Sequence, residues 1–368
     1  MKTPYCALLV ALAAWRADGA ASAYHLWDGQ ESVAGYARRA GLEPTKTIDL
    51  GNGVTMEFVL IPAGKFIRGT PVPAKLDTEG MRQKVILGEN LVIASAGAVM
   101  VMLAMVAIRG IQSRRPPQYS LAQFIMMVLF AGVGVCGGTN WYEWEGQETE
   151  HWAAMARLKE AEDDEKPARE ITISAPFYMG KFEVTQEQYQ AVTGMSQSHF
   201  NSPRNPVESV RWDDAQGFCW KLSGATRRMA RLPSEAEWEY ACRAGTRTSF
   251  SSGDAKAHLD AVAWHCANST QTTHPVGLKQ PNAWGLYDMH GNVWEWCQDG
   301  YDPHYYESSP AMDPPGDPEV PHRVRRGGSW HCYGRASCRS ASRSWSPQFG
   351  SYPDLGFRVA LSIAPKAP

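Results

Sequence analysis

The sequence predicts a loop-rich α+β fold carrying an inserted two-helix transmembrane hairpin, and three observations predict it. The 368 residues include 33 glycines, 24 prolines and 14 tryptophans, a balance that favours irregular chain pinned by large aromatics over a helix bundle. Short strand-like runs punctuated by turns lie on both sides of the middle of the chain. Between them stand two 18-residue apolar runs, Leu91 to Ile108 and Leu121 to Gly138. Lysine plus arginine (36) nearly balance aspartate plus glutamate (38), so no net field directs this protein to nucleic acid, which is not an expected partner. A mean hydropathy of −0.36 excludes a polytopic membrane protein but allows a few spans.

In order along the chain, residues 1–23 have the layout of a secretory signal. Lys2 precedes the apolar stretch Cys6 to Trp15, and the small triplet Ala21-Ser22-Ala23 follows. Thr55 to Ile61 and Lys65 to Gly69 read as strands around Pro62-Ala63-Gly64. The apolar runs come next. As helices each covers about 27 Å, close to the roughly 30 Å hydrocarbon thickness of a bilayer. Their connector holds Arg109, Arg114 and Arg115 and no acid, whereas Glu143, Glu145, Glu148 and Glu150 follow the second run. Basic residues favour the cytoplasmic side, so the hairpin tip is expected inside and both ends outside, with the main domain periplasmic or at the cell surface.

Residues 139–169 read as a polar linker. Glu170 to Ser174 and Phe177 to Val184 then resume strand patterning. Two capping boxes mark helix starts, Thr185 with Gln188 and Ser234 with Glu237, the second helix running to Arg243 with Gly245 as its stop. A further helix is expected from Asp213 or Asp214 to near Leu222. Beyond residue 245 the chain reads as Trp- and Gly-punctuated loops with strands at Arg323 to Arg326 and Gly356 to Leu361. The expected domains are therefore 24–80 and 170–362 of one unit, split by the hairpin at 91–138.

Several motifs in order resemble the formylglycine-generating enzyme, or sulfatase-modifying factor, family: Met56–Gly69, Phe177–Gln186, Asn205–Trp212, Arg231–Arg243, Asn282–Trp296, Arg326–Trp330 and Gly356–Val359. The resemblance implies a C-type-lectin-like fold. It also implies copper-dependent oxidation of a cysteine to formylglycine in cysteine-containing segments of secreted sulfatases. A non-catalytic binding or scaffold module of the same fold is the alternative, since fold alone does not carry function.

The segment Gly285–Trp296 sets the carboxylates Asp288 and Glu295 around a Gly291-Asn292 turn, and all-oxygen donors of this kind suit Ca²⁺. The resemblance implies a calcium ion held by the side chains of Asp288 and Glu295 and the carbonyls of Gly291 and Val293, with an acid here where the family has asparagine. It further implies that Cys332 is the first of two Cu(I) thiolates. The family's second cysteine position holds Ser337, and the nearest thiol is Cys338. Two soft sulfurs suit Cu(I). The family pattern also favours a Cys242–Cys338 disulfide, which would leave Cys332 alone, whereas a free Cys338 would allow two sulfurs to meet. Ser329, Trp294 and Arg343 match the family's substrate groove. Trp294 reads equally as a core residue, and Arg343 as the partner of a carboxylate. No His-x-x-x-His pair, Gly-rich phosphate loop or Gly-x-Ser-x-Gly elbow is present, so zinc, nucleotide and serine-hydrolase chemistry have no sequence support.

Overall fold

The computed structural model describes residues 24–71, 162–317, 319–332 and 335–363. Helix α1 (Val33–Ala40) starts at Ser32, whose side chain accepts from Gly35 N, and stops at Gly41 in the left-handed region. Strands β1 (Thr45–Gly51), β2 (Val54–Ile61) and β3 (Gly64–Arg68) follow, then β4 (Arg169–Ile173) and β5 (Phe177–Gly180). Helices α2 (Gln186–Thr193) and α3 (Trp212–Thr226) precede β6 (Ala230–Arg231), α4 (Glu235–Arg243) and α5 (Lys256–Val262). The remainder is β7 (Ala263–Trp264), β8 (His290–Gly291), β9 (Trp294–Gly300), α6 (Tyr305–Ser308), β10 (His322–Arg326), β11 (Ser344–Pro347), β12 (Leu355–Gly356) and β13 (Ala360–Ser362).

Both capping boxes form as the sequence predicts, on α2 and α4, because they need only residues within one turn of each other. The helix expected from Asp213 runs one turn further, to Thr226. The strand expected over Gly356–Leu361 is two strands in different sheets. β12 pairs with β9, and β13 pairs with β5 and β6. Arg358 lies at the crossover between them.

A five-stranded sheet has the order β1-β2-β5-β13-β6, and a four-stranded sheet the order β11-β10-β9-β12. Their inner faces and α2, α3 and α4 enclose a core in which Trp238, Trp296, Tyr189 and Phe58 are fully buried. Each such side chain contributes on the order of 2–3 kcal/mol of apolar burial. The buried indoles also satisfy their N–H groups. Trp296 Nε1 donates to Val210 O at 3.0 Å, and Trp212 Nε1 donates to Cys297 O at 2.8 Å.

β3 pairs antiparallel with β4, with Arg68 opposite Arg169, so the chain between them leaves and re-enters at one end of a two-stranded ladder. Gly69 N donates to Glu239 at 2.9 Å, and Thr70 Oγ1 donates to Glu165 at 2.6 Å, stitching the exit to the return. The described segments on either side of residues 72–161 thus belong to one unit. The signal segment (1–23) and the hairpin (91–138) expected from sequence lie outside the described residues. Among the described residues no helix is long and apolar enough to cross a membrane. The described end of the expected linker 139–169 is domain structure instead: Glu165 is fully buried and pairs with Arg339, and Arg169 already belongs to β4.

Candidate functional site: a paired-thiol centre beside a buried acidic cluster

β10 delivers the chain to Gly327 and Gly328, whose φ values of 98° and 77° turn it sharply. The turn closes over residues 329–332, where Cys332 N donates to Ser329 O at 3.1 Å and Ser329 N donates to Cys332 Sγ at 3.1 Å. Ser329 Oγ lies 3.5 Å from the same sulfur and donates to Asp354 Oδ2 at 3.0 Å. Cys338 ends a 3₁₀ turn (Arg335–Cys338), and its side chain hydrogen-bonds Cys332.

The two thiols divide their roles. The Cys338 hydrogen bond, helped by Ser329, pulls Cys332 down to about 7, whereas the same bond and burial push Cys338 well up. Cys332 is therefore the sulfur that ionises, and Cys338 the one that donates. His290 Nδ1 donates to Cys338 O at 2.8 Å, and its Nε2 accepts from Ser251 N at 3.0 Å. Those partners define a neutral imidazole, and burial lowers its pKa to about 4.

All six described cysteines are free. The disulfide favoured by the family pattern is absent: Cys242 Sγ sits 3.6 Å from Ser340 Oγ and 3.7 Å from Met289 O, while Cys338 faces Cys332. The two adjacent sulfurs, one of them readily ionised, fit a soft monovalent ion such as Cu(I).

Of the other residues expected at the groove, Ser329 is beside the sulfur. Trp294 is a core residue, 5 % exposed, with the Arg325 guanidinium 4.8 Å above its ring. Arg343 does not reach the groove. Its Nε donates to Glu235 at 2.7 Å, its Nη1 donates to the Asp164 carbonyl at 2.9 Å, and its guanidinium stacks on Tyr306. Burial would raise the Glu235 carboxyl, but Arg343 and Arg326 outweigh it and hold that carboxyl below its usual range. The aromatic wall next to the turn comes from residues the sequence did not single out. Phe200 packs edge-on to Trp330 at 5.4 Å, with His199 and His331 flanking.

Asp288, Gly291, Val293 and Glu295 lie together in the buried interior. Gly291 is required there, because a Cβ would sit 2.1 Å from Trp264 O. The oxygens of Glu295 are already taken: Arg358 grips both at 2.6 Å, and Trp238 Nε1 donates to Oε2 at 2.7 Å. Asp288 differs. Its Oδ2 accepts from Gly277 N at 2.7 Å, but its Oδ1 is buried without a partner, and burial raises its pKa to about 6. Glu183, a residue the sequence analysis did not select, joins the cluster. It accepts from Asn292 Nδ2 at 2.6 Å and Val293 N at 3.1 Å, and burial, Asp288 and Glu295 push it well up. An acid between Phe182 and Val184 was the available signal. Three carboxylates against the guanidinium of Arg358 and the weaker influence of the Lys279 ammonium make a place where a cation would relieve repulsion, although among the described residues no cluster of three or more ligating side chains is arranged around one point. Asp288 Oδ1 fits such an ion and Glu295 does not.

A family profile described as a sulfatase-modifying factor enzyme 1-like domain matches residues 145–363, more than half of the chain. This chain belongs to the sulfatase-modifying factor family. It is 38 % identical over 178 residues to the formylglycine-generating enzyme of Streptomyces coelicolor, covering 43 % of this chain and 53 % of that protein. It is 30 % identical over 249 residues to the chaperone protein LppX of Paenibacillus barcinonensis, covering 53 % and 82 %. The solved structure of PvdO from Pseudomonas aeruginosa shares the fold, with a TM-score of 0.57 at 21 % identity over 87 % of this chain and 99 % of that one. The chain spans about half the length of the formylglycine-generating enzymes it matches from Streptomyces coelicolor and Bos taurus.

Proposed function

We propose that this family member oxidises a cysteine in cysteine-containing segments of secreted sulfatases to formylglycine, at an extracytoplasmic domain tethered by the 91–138 hairpin. The observation that carries the reading is the shared hydrogen bond of Cys332 and Cys338, with Cys332 poised to ionise near neutrality. When held by the two sulfurs, Cu(I) supplies activation of O₂. The chain's own residues do the rest. Ser329 N–H and Oγ fix the Cys332 sulfur, Asp354 orients the Ser329 hydroxyl, and full burial of Cys338 keeps water from the pair. Phe200 and Trp330 supply an apolar wall for a peptide. Calcium belongs to the same proposal as a structural ion held by Asp288 and the carbonyls of Gly291 and Val293, Glu295 serving Arg358 instead.

Titration of the reduced protein with Cu(I) against a competing chelator tests this. Tight binding of one ion, lost in both Cys332→Ser and Cys338→Ser, is expected. Unchanged affinity in either variant removes the oxidase reading. The second reading, a non-catalytic recognition module, is favoured by the burial of Trp294 and Arg343 and by a relative named as a chaperone. It predicts peptide binding without copper.

A further inference from the structure

Arg325 sits on β10 four residues before Ser329, half-buried between the paired-thiol turn and solvent. Its place is set from two sides: the guanidinium lies on the Trp294 ring, and Nε donates to Ser344 Oγ at 3.2 Å, across the ladder where Arg325 faces Ser344. The Trp294 main chain is itself fixed, its backbone N–H donating to Asp354 O at 2.8 Å, and the residue is 5 % exposed. Among the described residues Nη1 and Nη2 of Arg325 have no hydrogen bond and no ion pair. The ionisable groups it senses are Asp354, Cys332 and Tyr352. Asp354 is near but already receives the Ser329 hydroxyl, and Tyr352 is 40 % exposed. Burial outweighs the attraction of Asp354, which makes no ion pair with Arg325 within salt-bridge distance, and lowers the Arg325 pKa.

A preorganised guanidinium fork with its two terminal nitrogens unspent is built for a carboxylate, which it can grip with two parallel bonds. We propose that Arg325, propped on Trp294 and tied to Ser344, is the subsite that binds the carboxylate of an acidic residue flanking the target cysteine of the peptide. This deepens the proposed function and rests on it, since it supposes that a cysteine peptide occupies the Cys332 turn. Arg325 thereby takes the groove position that sequence reasoning assigned to Arg343.

The test is binding without turnover. Fluorescent peptides carry serine in place of the target cysteine and one Glu or Gln at each of the two positions on either side. Anisotropy is read against the full chain and its Arg325→Gln and Arg325→Lys variants. At one position or more, the Glu peptide should bind about tenfold tighter than its Gln twin. That preference should fall to about twofold or less in Arg325→Gln and be partly restored in Arg325→Lys, with melting temperatures unchanged. Equal binding of Glu and Gln peptides to the native protein, or a preference that survives Arg325→Gln, overturns the inference while leaving the oxidase reading standing. Absence of binding by every peptide overturns both.

Discussion

The Sγ of Cys338 lies 2.6 Å from the point where a β-carbon on Gly328 would sit. The glycine is therefore the socket for the second sulfur, and its φ of 77° also favours a residue without a side chain. Gly328→Ala should push Cys338 away from Cys332 and add roughly 1–2 kcal/mol of backbone strain. The expected outcome is a folded protein with a lower unfolding midpoint and Cu(I) affinity reduced at least tenfold. A variant that keeps native copper affinity would show that the two sulfurs need not meet there.

The reactivity of Cys332 should titrate near neutrality. Its thiol is lowered from 9.0 to about 7, first by the Cys338 hydrogen bond, so the thiolate dominates above pH 7 and is lost below it. The iodoacetamide labelling rate of the metal-free protein should rise up to pH 7 and level off above it. In Cys338→Ala the midpoint should move up, because the main cause of the shift is gone. Mass spectrometry of the labelled peptide reads both.

His290 should sensitise the fold to acid. Its pKa is about 4 in the folded state against about 6.5 unfolded, so between these values the unfolded chain binds more protons. Stability contributed by the neutral ring is complete above pH 6.5 and is lost as pH falls toward 4, amounting to about 3 kcal/mol. His290→Asn retains a donor for the Cys338 carbonyl. Its denaturation free energy should fall about 3 kcal/mol less than that of the native chain between pH 7 and 4, by urea titration at each pH.

Asp288 carries the opposite sign. Burial raises its pKa from 3.8 to about 6, so its charged form costs about 3 kcal/mol at neutral pH, and stability is regained as pH falls through 6. In EDTA at pH 7.5, Asp288→Asn should be at least as stable as the native protein. Millimolar Ca²⁺ should raise the melting temperature of the native chain and leave the variant unmoved. Equal responses would remove calcium from Asp288.

Arg343 should behave as a structural residue. With its Glu235 partner fully enclosed, Arg343→Met removes the nearest cation from a buried carboxylate, leaving it only the more distant Arg326, and should cost about 3–5 kcal/mol. Peptide and copper affinities of the surviving folded fraction should be native. Loss of peptide binding at native stability would return Arg343 to the groove.

Residues whose interactions are local were legible. Ser234 with Glu237 and Thr185 with Gln188 satisfy helix N–H groups within one turn, so spacing alone located both helix starts. The Gly327-Gly328 turn and the order of motifs around it pointed to the right region of the chain. The partners of Arg343, Arg325, Glu183 and Glu295 were not legible, because each meets a group far away in sequence. An arginine in a motif reads the same whether it faces solvent, a substrate or Glu235.

The amino-acid sequence by itself determined the loop-rich α+β class and the helix starts, because these rest on composition, turn chemistry and short-range spacing, and its ordered motifs carried the family resemblance that pointed to Cys332 and Cys338. The tertiary structure alone decided that Cys338 turns to Cys332 rather than Cys242, that Arg358 occupies Glu295, and that Arg325 stands over Trp294 with its terminal nitrogens unspent. The physical reason is competition. Each buried charge or thiol has several chemically acceptable partners in the chain, and only the packing of the two sheets sets which one lies within hydrogen-bond reach.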